Sequence, residues 1–211
     1  MTGRLFILEG IDGCGKTTQL RAITQALIDE GITFKVQSML PEGSIRQIVL
    51  FDPSLSPMQR LLLYKVAAET ARLQVLRAME QFDVVLIDRG PDSFVAYQGW
   101  GDGLLSEVQA LNQLFPAFPK ADLVFFLDVS VETSQARVRQ AREELDVFEK
   151  RGTAFFENVR AGFIDQLDKH YPLGVRVDAE QPLTEVTESI LSKIFSVLHI
   201  ERTTDASCVL P

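Results

Sequence analysis

Apolar residues fall into two kinds of pattern along this chain. Short apolar runs, bounded by turn-forming or polar residues, occur at Leu5 to Leu8, Phe34 to Val36, Val84 to Ile87, Leu123 to Leu127 and Val175 to Val177. Runs of this length predict strands buried on both faces. Between them, Lys16 to Asp29, Met58 to Gln81, Glu132 to Arg142, Ala154 to Lys169 and Leu183 to Leu198 carry helical periodicity. Strands alternating with helices predict an α/β fold, a parallel sheet covered by helices on both faces. Glu201 to Pro211 has no period and is expected to fray.

Sheets of this kind bind ligands at the carboxyl ends of their strands. Three predicted strand ends carry polar residues: Glu9 to Asp12, Asp88-Arg89, and Asp128. The first continues as Gly10-Ile11-Asp12-Gly13-Cys14-Gly15-Lys16-Thr17, a Gly-x-x-x-x-Gly-Lys-Thr pattern between a predicted strand and a predicted helix. Gly10, Gly13 and Gly15 let the backbone turn its N–H groups onto phosphate oxygens at a helix N-terminus. Lys16 neutralises the phosphoryl group in transfer, and Thr17 offers a hydroxyl to Mg²⁺. A bare glycine-rich turn with a surface lysine is the alternative, and the complete motif in this context argues against it. Cys14 lies inside the loop, where a helix N-terminus and Lys16 favour the thiolate, although a small tolerated side chain also accounts for it. Asp88 is a further candidate for organising the metal.

Composition narrows the partners. A formal net charge of -8 argues against a broad footprint on a nucleic acid polymer. Two cysteines far apart, with no Cys/His cluster at ligand spacing, indicate neither a disulfide framework nor a zinc site. The N-terminus meets Glu9 and then glycines before any signal-peptide stretch develops, and no run is long enough to span a membrane. A soluble, cytoplasmic chain with one domain over residues 1–200 is expected. His170 and His199 show no partners in the sequence.

The string Phe6-Ile7-Leu8-Glu9-Gly10-Ile11-Asp12-Gly13-Cys14-Gly15-Lys16-Thr17-Thr18-Gln19 resembles the opening of the thymidylate kinase family more specifically than a bare phosphate loop does. Leu55-Ser56-Pro57 with Leu61-Leu62-Leu63-Tyr64, then Asp88-Arg89 with Ser93 and Ala96-Tyr97-Gln98-Gly99, match later family segments in the same order. The resemblance runs to about Leu198. It implies a P-loop kinase with a five-stranded parallel sheet, a helical lid near residues 137–152, a homodimer, and transfer of the ATP γ-phosphate to a deoxynucleoside monophosphate with Mg²⁺.

It also implies site residues. Gly10, Gly13, Cys14, Gly15, Lys16, Thr17 and Thr18 hold ATP. Arg46 and Arg89 hold the acceptor phosphate, and Tyr64, Phe94 and Gln98 border the acceptor. Tyr97 presses on the sugar 2′ carbon. Asp12 touches metal-bound water or the sugar hydroxyl. Because Gly13 leaves the phosphate loop without an arginine, the lid must supply one from Arg137, Arg139 and Arg142; a solvated face with Glu143 and Glu144 is the alternative for that run. Glu149 matches a lid carboxylate of unassigned role. The adenine is expected near Asp178-Ala179-Glu180.

Departures concern the acceptor base. Ala68 stands where the family reads thymine with an arginine, and Phe94 stands where a small polar residue is common. Arg72, one turn beyond Ala68, is a candidate to compensate. Stacking by Tyr64 and Phe94 without close polar reading is another possibility. The acceptor loop is also altered, as Met39-Leu40-Pro41-Glu42-Gly43. The expected reaction is dTMP to dTDP, with dUMP, dCMP or a modified pyrimidine nucleotide as alternative acceptors, and a non-catalytic nucleotide-binding regulator as the alternative from another class.

Overall fold

A computed structural model describes residues 3–141, 144–170 and 172–199. All five strands form where the apolar runs predict them: β1 (Arg4–Glu9), β2 (Phe34–Ser38), β3 (Val84–Asp88), β4 (Leu123–Asp128) and β5 (Gly174–Asp178). They pair in parallel in the order β2-β3-β1-β4-β5. Alternation along β1 divides the core. Phe6 and Leu8 join Leu86 and Phe125 on one face, while Leu5 and Ile7 join Val85, Ile87 and Val124 on the other. Both faces of β1, β3 and β4 are therefore dry, as their continuous apolar runs require; the edge strands β2 and β5 are instead largely exposed or half-buried, because no strand pairs on their outer side.

The expected helices appear as α1 (Lys16–Asp29), α3 (Pro57–Gln81), α6 (Val131–Ala141), α7 (Thr153–Lys169) and α8 (Leu183–Leu198). The start of α3 follows from local chemistry. Ser56 Oγ accepts the Gln59 N–H at 3.3 Å, Gln59 Oε1 accepts the Ser56 N–H at 2.9 Å, and Pro57 takes the first helical position.

Three further helices, α2 (Ser44–Phe51), α4 (Pro91–Phe94) and α5 (Leu105–Leu114), lie where the sequence pattern gave no helix. A π-helical stretch, Val95–Gly101, continues α4. Single π turns concentrate at functional sites. This one turns both Tyr97 and Gln98 inward, to 6% and 0% exposure. Register aligns the strand ends: Leu8 pairs with Asp88, and Asp128 with Asp178. No helix among the described residues is long and apolar enough to cross a membrane.

Candidate active site

The loops after β1, β3 and β5 converge on a cleft of about 550 Å³. Its donor end is the loop from Gly10 to Thr17. Gly10, Gly13 and Gly15 have φ of 143°, 75° and 102°, which side chains disfavour. Space also demands glycine at two of them: a Cβ on Gly10 would meet the Leu127 carbonyl at 2.7 Å, and one on Gly13 the Ser134 carbonyl at 2.5 Å. Helix α6 thus packs directly on the loop, and Ser134 Oγ donates to the Asp12 carbonyl. Gly13 is the consequence of that contact, so no arginine fits there.

Lys16 is 7% exposed and curls over its own loop, donating to the carbonyls of Gly10 at 2.9 Å and Ile11 at 3.0 Å, with Cys14 Sγ at 3.4 Å. Thr17 and Thr18 lie exposed on the cleft wall. Asp88 also lines the cleft, and its Oδ1 is buried with no hydrogen-bond partner. An orphaned carboxylate oxygen beside a phosphate loop fits a hard divalent cation, which prefers oxygen ligands.

At the acceptor end, Arg89 follows β3 in a left-handed conformation, φ 64°. Its guanidinium donates to the Gly10 carbonyl at 3.0 Å and to Asp12 Oδ1 at 2.5 Å, and lies 5.1 Å over the Tyr97 ring. Tyr97 donates its hydroxyl to Asp12 Oδ2 at 2.7 Å. The carboxylate inside the phosphate loop is therefore compensated by Arg89 and Tyr97. Burial opposes the Arg89 charge most strongly, but Asp12, Tyr97, Asp88 and Tyr64 together outweigh it and keep the guanidinium protonated. Burial and the Asp12 hydrogen bond push the Tyr97 hydroxyl well above its ordinary range, although Arg89 pulls the other way.

Glu9, at the end of β1, supports this corner from below. It accepts from the backbone N–H groups of Gly90 and Ser93 and from Ser93 Oγ at 2.6 Å. Burial and the charge of Asp92 raise its carboxyl to about 7, against the bonds from Ser93. Asp92 in turn pairs with His170 Nε2 at 2.8 Å, giving that histidine the partner its sequence context did not reveal. Arg46, on α2, lines the cleft and donates to the Leu40 carbonyl at 2.8 Å. Gln98 lines it too, and neither amide atom has a partner.

The remaining candidates separate. Tyr64 lines the cleft, and Phe94 stacks behind it at 5.7 Å. Ala68 is buried with Met39 in the apolar layer under β1 and β3. Arg72 does not line the cleft: its Nε bonds Glu69 Oε2 at 2.9 Å, so the compensating reader expected there is placed elsewhere. Of the lid arginines, Arg137 lines the cleft but gives both terminal nitrogens to the Ala179 carbonyl at 3.1 Å, at the end where adenine is expected. Arg139 lies on a neighbouring cavity, donating to Gln135 at 3.4 Å. Arg142 lies outside the described residues, as does the tail after Ile200.

Sequence reasoning missed the lid's reach. Asp146 and Phe148 line the cleft opposite Tyr97, and Glu149 Oε2 accepts the Asp146 N–H at 3.0 Å. Burial raises the Asp146 carboxyl to about 6; the Glu149 N–H opposes this, and the charge of Asp12 adds to it. The turn at Asp146 is local, but what places Phe148 in the cleft is distant in sequence: the Tyr97 ring and the Arg60 guanidinium. Asp128, flagged only as a strand end, holds Arg160 at 2.7 and 2.9 Å together with Arg176 at 2.9 Å, tying α7 to β4 and β5 outside the cleft.

Comparison with known proteins agrees with this arrangement. A family model described as thymidylate kinase matches residues 8–190. A thymidylate kinase of Pseudomonas fluorescens is 36% identical over 211 residues, covering 96% of this chain and 100% of that one. One of Thermosynechococcus vestitus is 35% identical, covering 93% and 89% respectively, and one of Alkalilimnicola ehrlichii is 34% identical, covering 93% and 94%. A phosphate loop facing an arginine-bearing strand end across one cleft, matched over nearly the whole chain, places this protein in the thymidylate kinase family, as a nucleoside monophosphate kinase.

Proposed function

We propose that the chain transfers the γ-phosphoryl group of ATP to the phosphate of dTMP, forming dTDP and ADP. The observation that carries this reading is the single cleft that joins the loop at Gly10–Thr17 to Arg46, Arg89, Tyr64 and Tyr97. An acceptor phosphate between Arg46 and Arg89 lies in reach of the phosphate loop, so the acceptor oxygen attacks γ-phosphorus as the bond to the β-phosphate oxygen breaks. Positioning and fixed positive charge supply most of the acceleration in such transfers. Mg²⁺ held by Thr17 and Asp88 would neutralise charge on the β- and γ-oxygens. Tyr97 is held by Asp12 and by edge-on contact with Phe148 at 5.5 Å, and in this reading its ring stands against the sugar 2′ carbon, which favours deoxynucleotides.

With Arg72 turned away, Gln98 is the free amide on the cleft wall, and it pairs with the polar edge of the base in this reading. Gln98→Leu should raise the acceptor KM by about 5- to 150-fold, the cost of about 1–3 kcal/mol for an unmade buried hydrogen bond, with the ATP KM unchanged. An unchanged acceptor KM would remove the amide from base reading. A coupled assay across the deoxy- and ribonucleoside monophosphates tests the whole reading. Preference for dTMP supports it, preference for dCMP or dUMP reassigns the base, and turnover of no acceptor defeats it.

The homodimer is part of the same proposal. Met58, Leu62, Val66, Leu73 and Leu76 leave one stripe of α3 apolar and 40 to 56% exposed. A stripe of this length along a 25-residue helix suits a second copy of the same helix. Val66→Glu should convert a dimer to monomer in sedimentation equilibrium, and a wild-type monomer would refute the assignment.

A further inference from the structure

The lid reaches the acceptor side of the cleft through a compact turn. Asp146 Oδ1 accepts the N–H groups of Phe148 at 2.8 Å and Glu149 at 2.9 Å, and the Arg151 N–H closes onto the Phe148 carbonyl at 2.8 Å. This turn presents the Phe148 ring, 5% exposed, edge-on to Tyr97 and stacked with Phe155 at 6.3 Å. Its third neighbour is a cation: the Arg60 guanidinium lies 5.5 Å over the ring.

Arg60 is itself 6% exposed, and its guanidinium also bonds backbone carbonyls at the C-terminal end of α2. It donates to the Val49 carbonyl, and to the Asp52 carbonyl at 3.0 Å. A helix C-terminus leaves carbonyls without intrahelical donors, and a cation there is favoured. The Leu50 carbonyl between them accepts from the lid, through the Val147 N–H at 2.9 Å. The end of α2 is therefore satisfied jointly by Arg60 and by the lid. The same eight-residue helix carries Arg46 on its first turn and Leu50 on the cleft wall.

We propose that Arg60 is the latch between the lid and the acceptor-binding helix, a positioning residue that makes placement of Arg46 and docking of Phe148 one event. Moving α2 breaks the carbonyl bonds, and lifting the lid breaks the ring contact and the Val147 bond. Because one guanidinium serves both, acceptor binding that orders α2 also favours the docked lid, and the coupling is reciprocal. This rests on the kinase reading of the cleft.

Arg60→Met and Phe148→Leu keep apolar bulk while removing the cation–π contact. Each should raise the acceptor KM by about tenfold with the ATP KM nearly unchanged, and the double variant should be no worse than the weaker single. Trypsin cleavage after Lys150 and Arg151 should be faster in both variants, and dTMP should protect the wild type alone. A residue that merely capped α2 would lower the melting temperature without this KM split or the non-additivity. Additive effects, or unchanged lid cleavage in a folded variant, overturn the latch. If Arg60→Met does not fold, retained protection in Phe148→Leu overturns it. If the wild type turns over no acceptor, the kinase reading fails, and cleavage rates without nucleotide still decide the latch.

Discussion

Lys16→Ala should lower turnover with every acceptor by about 10²–10³-fold, the loss that follows removal of one preorganised charge from a transfer site. The fold should stay intact, and the reason lies in what the ammonium leaves behind. Its two carbonyl partners keep other donors: Gly10 O from Arg89 at 3.0 Å, and Ile11 O from the Cys14 N–H at 3.3 Å. No buried acceptor is orphaned, so the stability change should be below about 1 kcal/mol. Steady-state kinetics beside a thermal melt separate the two. A fall in activity matched by a fall in melting temperature would mean that Lys16 supports the loop rather than the reaction.

The phosphate loop was legible because its signal is local. Glycines, lysine and threonine are specified by chemistry within eight residues, and the strand before them needs only an apolar run. The same holds for the inner strands β1, β3 and β4, buried on both faces, whereas the edge strands β2 and β5 rest on shorter runs that Lys35 and Arg176 interrupt. Helix α2 was not legible: Ser44–Phe51 is short, starts after Gly43 without a side-chain cap, and is held by Arg60 and the lid, which are distant in sequence. The π-helical stretch breaks the 3.6-residue period, so no periodic pattern marks Val95–Gly101.

Within the site, what failed to show was direction. Ala68 and Arg72 do share a side of α3, as their spacing implies, but that side meets Met39 and the lower apolar layer at Ala68 and the Glu69 carboxylate at Arg72. A helical period tells which residues are neighbours; it does not tell which neighbours face the ligand. Asp12 shows the converse. A carboxylate inside a phosphate loop repels a triphosphate wherever the loop occurs, whereas the compensation of Asp12 by Arg89 and Tyr97 depends on β1 and β3 being adjacent, with Leu8 beside Asp88.

That compensation makes Arg89 the second residue of large effect. Arg89→Ala should lower kcat/KM for the acceptor by about 10²–10³-fold, and Arg89→Lys should recover little, because a point charge cannot span Asp12, the Gly10 carbonyl and a phosphate as a planar fork does. The variant should also lose about 1–3 kcal/mol of stability, since it removes the Arg89 guanidinium from the Asp12 carboxylate, which is 15% exposed. Two further substitutions separate the causes. Arg89→Gly relieves the left-handed backbone and should regain about 1 kcal/mol over Arg89→Ala with no gain in activity. Asp12→Asn in the Arg89→Ala background removes the charge that Arg89 offset, so stability should return while turnover stays low. Denaturant melts and acceptor kinetics on the same four proteins read both effects. If stability and activity recovered together in the double variant, Arg89 would serve only to neutralise Asp12, and the acceptor phosphate would have to be held by Arg46.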